Sequence, residues 1–576
     1  MPIKLKIAVL LILNIFLCGT QGGYADSSSV PSSLDAGVLG RDNLKNLQYE
    51  LKQNPDSVEI QVPSMNIDPD TENPQLSFVL KNVFFTGNTV YKNVQLEKYA
   101  EKYIGKEINF NDIQHITNEI TALYYQNGYV TSLAYIPPQS VKDGNIKINI
   151  AENNVGNIKI TNCKWIKPAY IKNNILKAND VESKKILNIN DFKESIENLK
   201  QTPNLKANVY INKGEEPGTT DIILDIKDKI PLSFGVFNDN QGDDSTGLFR
   251  TGFILNNYNL TGYGDSLYAS TTLSEGFTGV NTGYSFPIGP YGTKISIGYG
   301  ISKIALGGEY QENDIRGISH GLFTTLSQPI YKKRNLIVNS DLTVDGRHTE
   351  TTMYDLPYNK YDVRAVRLGL NASKFDNLGR WYTRLENSIG IPLLGASDNS
   401  IYGVGSSKFY KLNADVRRVQ YLPFKTTGIF RSSCQYTPNA LLSIEQIGAG
   451  GMSTVRGYDE RLLMGDVGYN FSLELVRPIP YLPKITFPLL SEKFNTIDLK
   501  NRINFAVFYD QGYIQRIHDY RAGNHTNFLQ SVGFGFKSYI TNYLTVNTDF
   551  GIPLGRKRYA GQNDIRFHLY FNSLIN

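Results

Sequence analysis

The sequence predicts a mainly β chain: a transmembrane antiparallel β-barrel of about 16 strands, preceded by two β-α-α-β-β modules and an N-terminal plug helix. Three observations carry that expectation. Residues 231–576, 346 in all, run as short segments alternating apolar with polar or small side chains. That is the period-2 pattern of strands with lipid on one face and a lumen on the other. Ahead of them, two stretches repeat one order of strand, helix, helix, strand, strand. Finally, 37 Tyr and 28 Phe stand against two Trp, a balance suited to aromatic girdles rather than a helical fold. Sharing 346 residues among 16 strands leaves about 22 for each strand with its connection, enough for the roughly 9–11 that cross a membrane. A water-soluble β-sandwich shows the same alternation; the other features of the chain argue against it.

Residues 1–25 read as a secretory signal. Lys4 and Lys6 precede the apolar run Ile7 to Cys18, and Gly23-Tyr24-Ala25 offers small residues for cleavage before Asp26. Cys18 reads as a lipidation site only if bulky Leu17 is tolerated where such sites take a small residue. Beyond the signal no apolar run reaches the roughly 18 residues of a membrane helix, so an exported chain of this kind is soluble or a barrel. Cys18, Cys163 and Cys434 are the three cysteines, too few for a disulfide framework and without zinc or redox spacing. The six His are scattered, so no metal or cofactor site is expected. A net charge of +5 with no acidic or basic tail gives no sign of a nucleic-acid partner.

Residues 33–53 read as a helix, with Leu44, Leu47 and Leu51 on one face, Asp42 able to cap, and Asn54-Pro55 ending it. Such a helix has no partner in its own neighbourhood, which suits a plug. Residues 54–75 hold four Pro and read as an extended linker, long enough stretched to span roughly 70 Å. A disordered N-terminal stretch is the competing reading.

The first module is residues 76–152. Val79 to Asn88 is a strand running into a Gly87-Asn88 turn. A helix follows with Leu96, Tyr99, Ala100 and Tyr103 on one face. A second places Ile113, Ile116, Ile120 and Leu123 together, with Asn111 and Gln114 as a capping box and Gly128 stopping it. Strands Tyr129 to Ile136 and Asn145 to Ala151 complete it. The order repeats over 153–229: strand Ile158 to Ile160, helices Tyr170 to Lys177 and Asp191 to Lys200, strands Lys206 to Ile211 and Thr220 to Ile226. Each module is expected to present an edge strand whose free backbone groups can accept an extended peptide; a rigid spacer is the alternative.

In the barrel region, 230–576, Ile295, Ile297, Tyr299 and Ile301 alternate with small residues, as do Val532, Phe534 and Phe536. The same parity acts on Arg502 to Asp510. Ile503, Phe505, Val507 and Tyr509 form the apolar face, so Asn504, Ala506, Phe508 and Asp510 point into the lumen. An aspartate there needs a partner. Upstream lies the glycine-rich loop Gly448 to Tyr458, in which glycines bracket a single cation, Arg456. An ordinary surface turn is the bland alternative.

Val455-Arg456-Gly457-Tyr458 followed by Phe508-x-Asp510-x-Gly512 resembles the paired motifs of the POTRA-barrel superfamily of outer-membrane proteins. The run Val83-x-Phe85-x-Gly87-Asn88, the Ile136-Pro137-Pro138-Gln139 step and the Gly144 turn look like a POTRA domain. Plug helix, linker, two such modules and a barrel together resemble the two-partner secretion transporter (TpsB), the ShlB/FhaC/HecB-type hemolysin secretion/activation family. The resemblance implies that the loop folds back into the lumen, where Arg456 meets Asp510. It implies an outer-membrane location in a Gram-negative-type envelope, with the POTRA domains in the periplasm. The implied partners are a large secreted exoprotein, hemolysin- or adhesin-like with an N-terminal secretion domain, outer-membrane lipid, and the barrel-assembly machinery. That machinery would read the final strand Phe567, Leu569, Phe571. An assembly insertase of the same superfamily and a passive porin are the alternative functions. An enzyme is not expected. Gly264-Asp265-Ser266-Leu267 and Asp345-Gly346-Arg347-His348 spell an esterase-like serine and an Asp-x-x-His, but both fall in barrel hairpins, and no Gly-x-Ser-x-Gly occurs.

Overall fold

The alternation of residues 231–576 closes into a barrel. The computed structural model describes residues 35–36, 59–61, 77–141, 143–176, 185–190, 205–289, 291–333, 335–397, 405–482, 484–486, 496–499, 502–517, 527–541, 543–554 and 564–575. The first eight barrel strands are β1 Leu232–Asp239, β2 Arg250–Asn257, β3 Ser266–Leu273, β4 Phe277–Ile288, β5 Thr293–Ala305, β6 Arg316–Lys333, β7 Leu336–Met353 and β8 Leu356–Asp376. The second eight are β9 Gly379–Gly390, β10 Tyr410–Leu422, β11 Thr426–Tyr436, β12 Val467–Pro478, β13 Ile503–Gln515, β14 Phe528–Thr541, β15 Leu544–Pro553 and β16 Arg566–Ile575. Each pairs with the next, and β1 closes antiparallel on β16 from Phe234↔Ile575 to Asp239↔Tyr570. The expected 16 strands are all there.

Parity holds where it was read. Along β13, Ala506, Phe508 and Asp510 are buried inward, whereas Phe505 and Val507 stay exposed on the outer face. The barrel is not of even height. Strands β1 to β3 have 8 residues each, while β6, β7 and β8 have 18, 18 and 21. Beyond Val344 and Val366 the outer face of this tall wall turns polar on β7 and β8. There His348 Nδ1 lies 3.1 Å from Asp362 and Lys360 Nζ 3.4 Å from Glu350. The esterase-like pieces have no relation to each other: Ser266 opens β3, and His348 lies on this outer face of β7.

The first module follows the expected order. A sheet of Asn82–Thr86, Asn145–Ala151 and Leu133–Tyr135 packs on helices α1 Asn93–Ala100 and α2 Phe110–Gln126. Its core joins Leu80, Phe85, Leu96, Ile116, Ile120 and Ile148. Two details differ from the sequence reading. The capping box of α2 is Asn109 with Asp112, not Asn111 with Gln114. Asp112 N donates to Asn109 Oδ1 at 3.1 Å, and Asn109 N to Asp112 Oδ2 at 2.9 Å. This earlier pair sits where the chain leaves its extended conformation, so it caps first. The strand expected from Tyr129 is only Leu133–Tyr135, because Tyr129 and Ser132 close a turn instead.

The second module has strands Asn154–Thr161, Leu205–Lys213 and Thr219–Asp228 and helix α3 Pro168–Leu176. Its second helix, expected from Asp191, lies outside the described residues. The module touches the barrel at the β2–β3 turn, where Lys167 N donates to Gly262 O at 2.9 Å and Lys167 Nζ sits 4.2 Å from the Tyr263 ring.

The linker contributes a strand of its own. Glu59–Gln61 pairs in parallel with Asn208 to Tyr210, adding a fourth strand to the second module's sheet. One edge of that sheet is therefore occupied by the chain's own backbone, while Asn154–Thr161 forms the other. Most of the expected plug helix, residues 33–53, lies outside the described residues. Asp35 and Ala36 are described, and both sit inside the barrel. Tyr361 Oη donates to Asp35 Oδ2 at 2.9 Å, Ser302 Oγ to Ala36 O at 2.5 Å, and Ala36 packs with Phe277, Ile304 and Tyr310.

Candidate functional site: a re-entrant loop seated in the lumen

Residues 437–466, between β11 and β12, leave the barrel end remote from the modules and turn back inside. Two short antiparallel segments, Ile447–Ala449 and Leu463–Gly465, form the loop's stem. Beyond them Gly450 and Gly451 take φ of 113° and 95°, conformations that side chains with a Cβ resist. They turn the chain into the tip carrying Val455, Arg456, Gly457 and Tyr458.

All four predicted tip residues are buried, Arg456 at 1% exposure and Val455 at 0%. Arg456 makes a two-pronged contact with Asp510 on β13: Nε to Oδ2 at 2.7 Å and Nη2 to Oδ1 at 2.9 Å, with its backbone N donating to Oδ2 at 3.1 Å. The flat face of the guanidinium lies 3.4 Å from the Phe508 ring centroid, a cation–π contact in a dry setting. The third predicted wall residue, Gly512, lies close against the loop. A Cβ there would meet Ala449 Cβ, Asn470 Oδ1 and Val455 Cγ2, each at 2.9 Å. Loop motif and wall motif are thus brought together.

The site is larger than the two motifs. Arg456 Nη1 also donates to Glu474 Oε2 on β12 at 2.8 Å and lies 3.5 Å from Asp549 Oδ2 on β15. Lys537 on β14 reaches Asp549 at 2.8 Å, and Arg431 on β11 reaches Glu474 at 3.3 Å. Three cations face three carboxylates, which is how a charged cluster survives away from water. The tip backbone is read as well. Gly457 N donates to His568 Nε2 on β16 at 3.1 Å, which requires that nitrogen to carry no proton, and Tyr458 Oη donates to Gln530 O on β14 at 2.9 Å. Gly457 lies against Gly551 on β15, whose imagined Cβ would fall 2.3 Å from Gly457 N. Parity alone marks Glu474, Lys537, Asp549 and His568 as inward. What it lacks is height, and only the depth of the loop selects which inward residues meet Arg456.

Among the described residues no group of three or more His, Cys, Asp or Glu is placed to hold a metal ion. The arrangement is a seat: a lumen obstructed by its own loop, held by charge.

Comparison with known proteins accords with this geometry. Residues 218–537 match the family model of the haemolysin secretion/activation protein ShlB/FhaC/HecB, and residues 78–153 match the ShlB-type POTRA domain. The chain is 23% identical over 468 residues to the heme/hemopexin transporter protein HuxB of Haemophilus influenzae, covering 80% of each. To the outer membrane transporter CdiB of Dickeya dadantii it is 24% identical over 434 residues, 71% of this chain and 75% of the relative. Among solved structures, CdiB from Escherichia coli superposes with a TM-score of 0.68 at 18% identity, over 95% of this chain and all of that one.

Proposed function

The chain belongs to the haemolysin secretion/activation (ShlB/FhaC/HecB) family, and from that membership we propose that it captures one unfolded partner exoprotein in the periplasm and passes it through the barrel to the cell surface. It is a two-partner-secretion translocon of the outer membrane, with its POTRA domains on the periplasmic side; it is not an enzyme. The observation that carries the detailed reading is the seating of Arg456 on Asp510 within a closed 16-stranded barrel. A loop held by a desolvated ion pair, inside a pore with modules at its mouth, is a gate rather than a wall.

In this reading residues 1–25 direct export, 33–53 plug the resting pore and 54–75 link the plug to the first module. Modules 76–152 and 153–229 receive the cargo's N-terminal secretion domain along their sheet edges, where backbone hydrogen bonds supply much of the affinity. Residues 230–576 form the conduit, inserted into outer-membrane lipid by the barrel-assembly machinery. Val455, Arg456, Gly457 and Tyr458 are the latch; Phe508, Asp510 and Gly512 are its keeper. No nucleotide-binding loop occurs in the sequence, so folding of the cargo outside is the drive.

The test is co-expression with the large exoprotein of a neighbouring gene. Cargo is expected at the surface with the intact transporter and in the periplasm with Arg456→Ala. Cargo secreted equally well by both would overturn the gate. Swelling of liposomes in small sugars at porin-like rates would overturn a gated pore altogether.

A further inference from the structure

The Arg456 seat is not where the loop first meets the wall. Short of the stem, the 3₁₀ turn Ser443–Glu445 carries a second buried charge against a different arc of the barrel. Arg367 on β8 donates to both Glu445 carboxylate oxygens, at 2.7 and 3.1 Å, and Lys411 on β10 makes a close ion pair with the same group. Arg367 is itself held by Asp345 on β7, Nε to Oδ1 at 2.6 Å. Arg367 and Lys411 therefore face Glu445 and Asp345 here, with the Arg384–Glu386 pair of β9 beside them, a set separate from that around Arg456. Burial opposes the charge on Glu445, but Arg367 and Lys411 outweigh it and hold its carboxyl well below the usual range.

The backbone at this level is pinned too. Lys411 Nζ donates to Glu445 O at 3.2 Å, and Gln435 Nε2 bridges Glu445 O at 3.0 Å and Asp466 O at 2.9 Å, joining the descending and returning limbs. The Asp466 carboxylate accepts from Leu441 N and Ile517 N, both at 2.8 Å. Leu441, Leu442 and Ile444 pack on Tyr361, Val363, Ala365 and Phe409 of the wall.

We propose that Glu445 is a positioning residue that fixes the root of the loop to the barrel wall, so that only the tip beyond Gly450 leaves its seat when the gate opens. The root is held by buried charge, limb-bridging hydrogen bonds and apolar packing together, whereas the descending limb enters the tip through Gly450 and Gly451, at φ of 113° and 95°. Gly450 and Gly451 are the hinge. The proposal rests on the tip being movable, but not on any cargo or on secretion itself.

Pulsed electron paramagnetic resonance on the full chain in nanodiscs tests it. In a Cys163→Ser, Cys434→Ser background, a nitroxide at the root (Ser443→Cys) or at the tip (Ser453→Cys) is measured against one on the outer wall (Leu342→Cys). With Arg456→Ala, the tip distance is expected to broaden and shift while the root distance keeps its mean and width. With Glu445→Gln, the root distance broadens as well. Lys411→Gln breaks the same pair from the wall side and is expected to do the same, should Glu445→Gln fail to assemble. Root and tip moving together in Arg456→Ala would overturn the hinge. A root unmoved by either Glu445→Gln or Lys411→Gln would overturn the role of Glu445. If neither position moves in Arg456→Ala while secretion is lost, the movable tip itself is wrong, a failure distinct from the other two.

Discussion

Replacing either member of the Arg456–Asp510 pair should loosen the loop, but not equally. Among the described residues, the hydrogen bonds to the Asp510 carboxylate all come from Arg456. Arg456→Ala thus strands a fully buried charge, at a cost of about 3–5 kcal/mol. Asp510→Ala leaves Arg456 with Glu474 and Asp549, so the loss is that of charge-assisted hydrogen bonds, about 1.5–3 kcal/mol. At about 1.4 kcal/mol per tenfold, the unseated fraction rises at least about a hundredfold in the first variant and about ten- to a hundredfold in the second. A partly wet lumen would have placed both lower, near the about 0–1 kcal/mol of exposed pairs; the 1% and 0% side-chain exposures of the pair decide against that. The assay is maleimide labelling of Val455→Cys in a background lacking Cys163 and Cys434. Val455 is 0% exposed when seated, so its labelling rate follows the unseated fraction when reclosing is fast. The double variant should be no worse than Arg456→Ala, since removing Asp510 removes the stranded charge. Additive losses, or a larger effect from Asp510→Ala, would refute the reasoning. Arg456→Lys should fall between, keeping the charge but not the planar fork.

Three further outcomes follow from close contacts. Gly551→Ala would place a Cβ 2.3 Å from Gly457 N and 2.6 Å from Arg456 C, an overpacking of about 1–3 kcal/mol. The barrel should remain heat-modifiable on gels while Val455→Cys labels faster, and an unchanged rate would mean the tip does not rest on β15. Proline at 59, 60 and 61 together removes every backbone donor of the linker strand and should free the Asn208 to Tyr210 edge. Calorimetry with an unfolded cargo segment should then show tighter binding to the full transporter, and unchanged affinity would locate capture elsewhere. Tyr361→Phe deletes the hydroxyl that donates to the Asp35 carboxylate, worth about 1.5–3 kcal/mol, and should raise resting conductance in planar bilayers; equal conductance would mean the N-terminal segment is held by other contacts.

Much of this was legible in the sequence because a barrel wall obeys a period of 2 whatever its neighbours do. Asp510 could be placed inward from Ile503, Phe505 and Val507 alone. The partnership with Arg456 was not a matter of periodicity and came from the resemblance. The additional members of the seat stayed hidden for a different reason. Asp549 and His568 lie 93 and 111–112 residues beyond the loop tip, and their meeting depends on how far the loop descends, which no local pattern encodes. The Glu59–Gln61 strand was invisible because three residues among prolines carry no period. The misplaced cap on α2 is the ordinary two-residue uncertainty of helix starts, since Asn109 and Asn111 are both able caps.

The unequal strands shape the exit. On β7 and β8 the wall continues past Val344 and Val366 for 9 and 10 residues, with His348, Glu350, Lys360 and Asp362 on its outer face. On β1 to β3 there is no such extension, since their 8 residues fall short even of the roughly 9–11 of an ordinary crossing strand. Among the described strands the rim is therefore lopsided, highest over β6 to β8 and lowest over β1 to β3. Anything leaving the pore on the tall side runs along a wall of paired backbone before it clears the barrel.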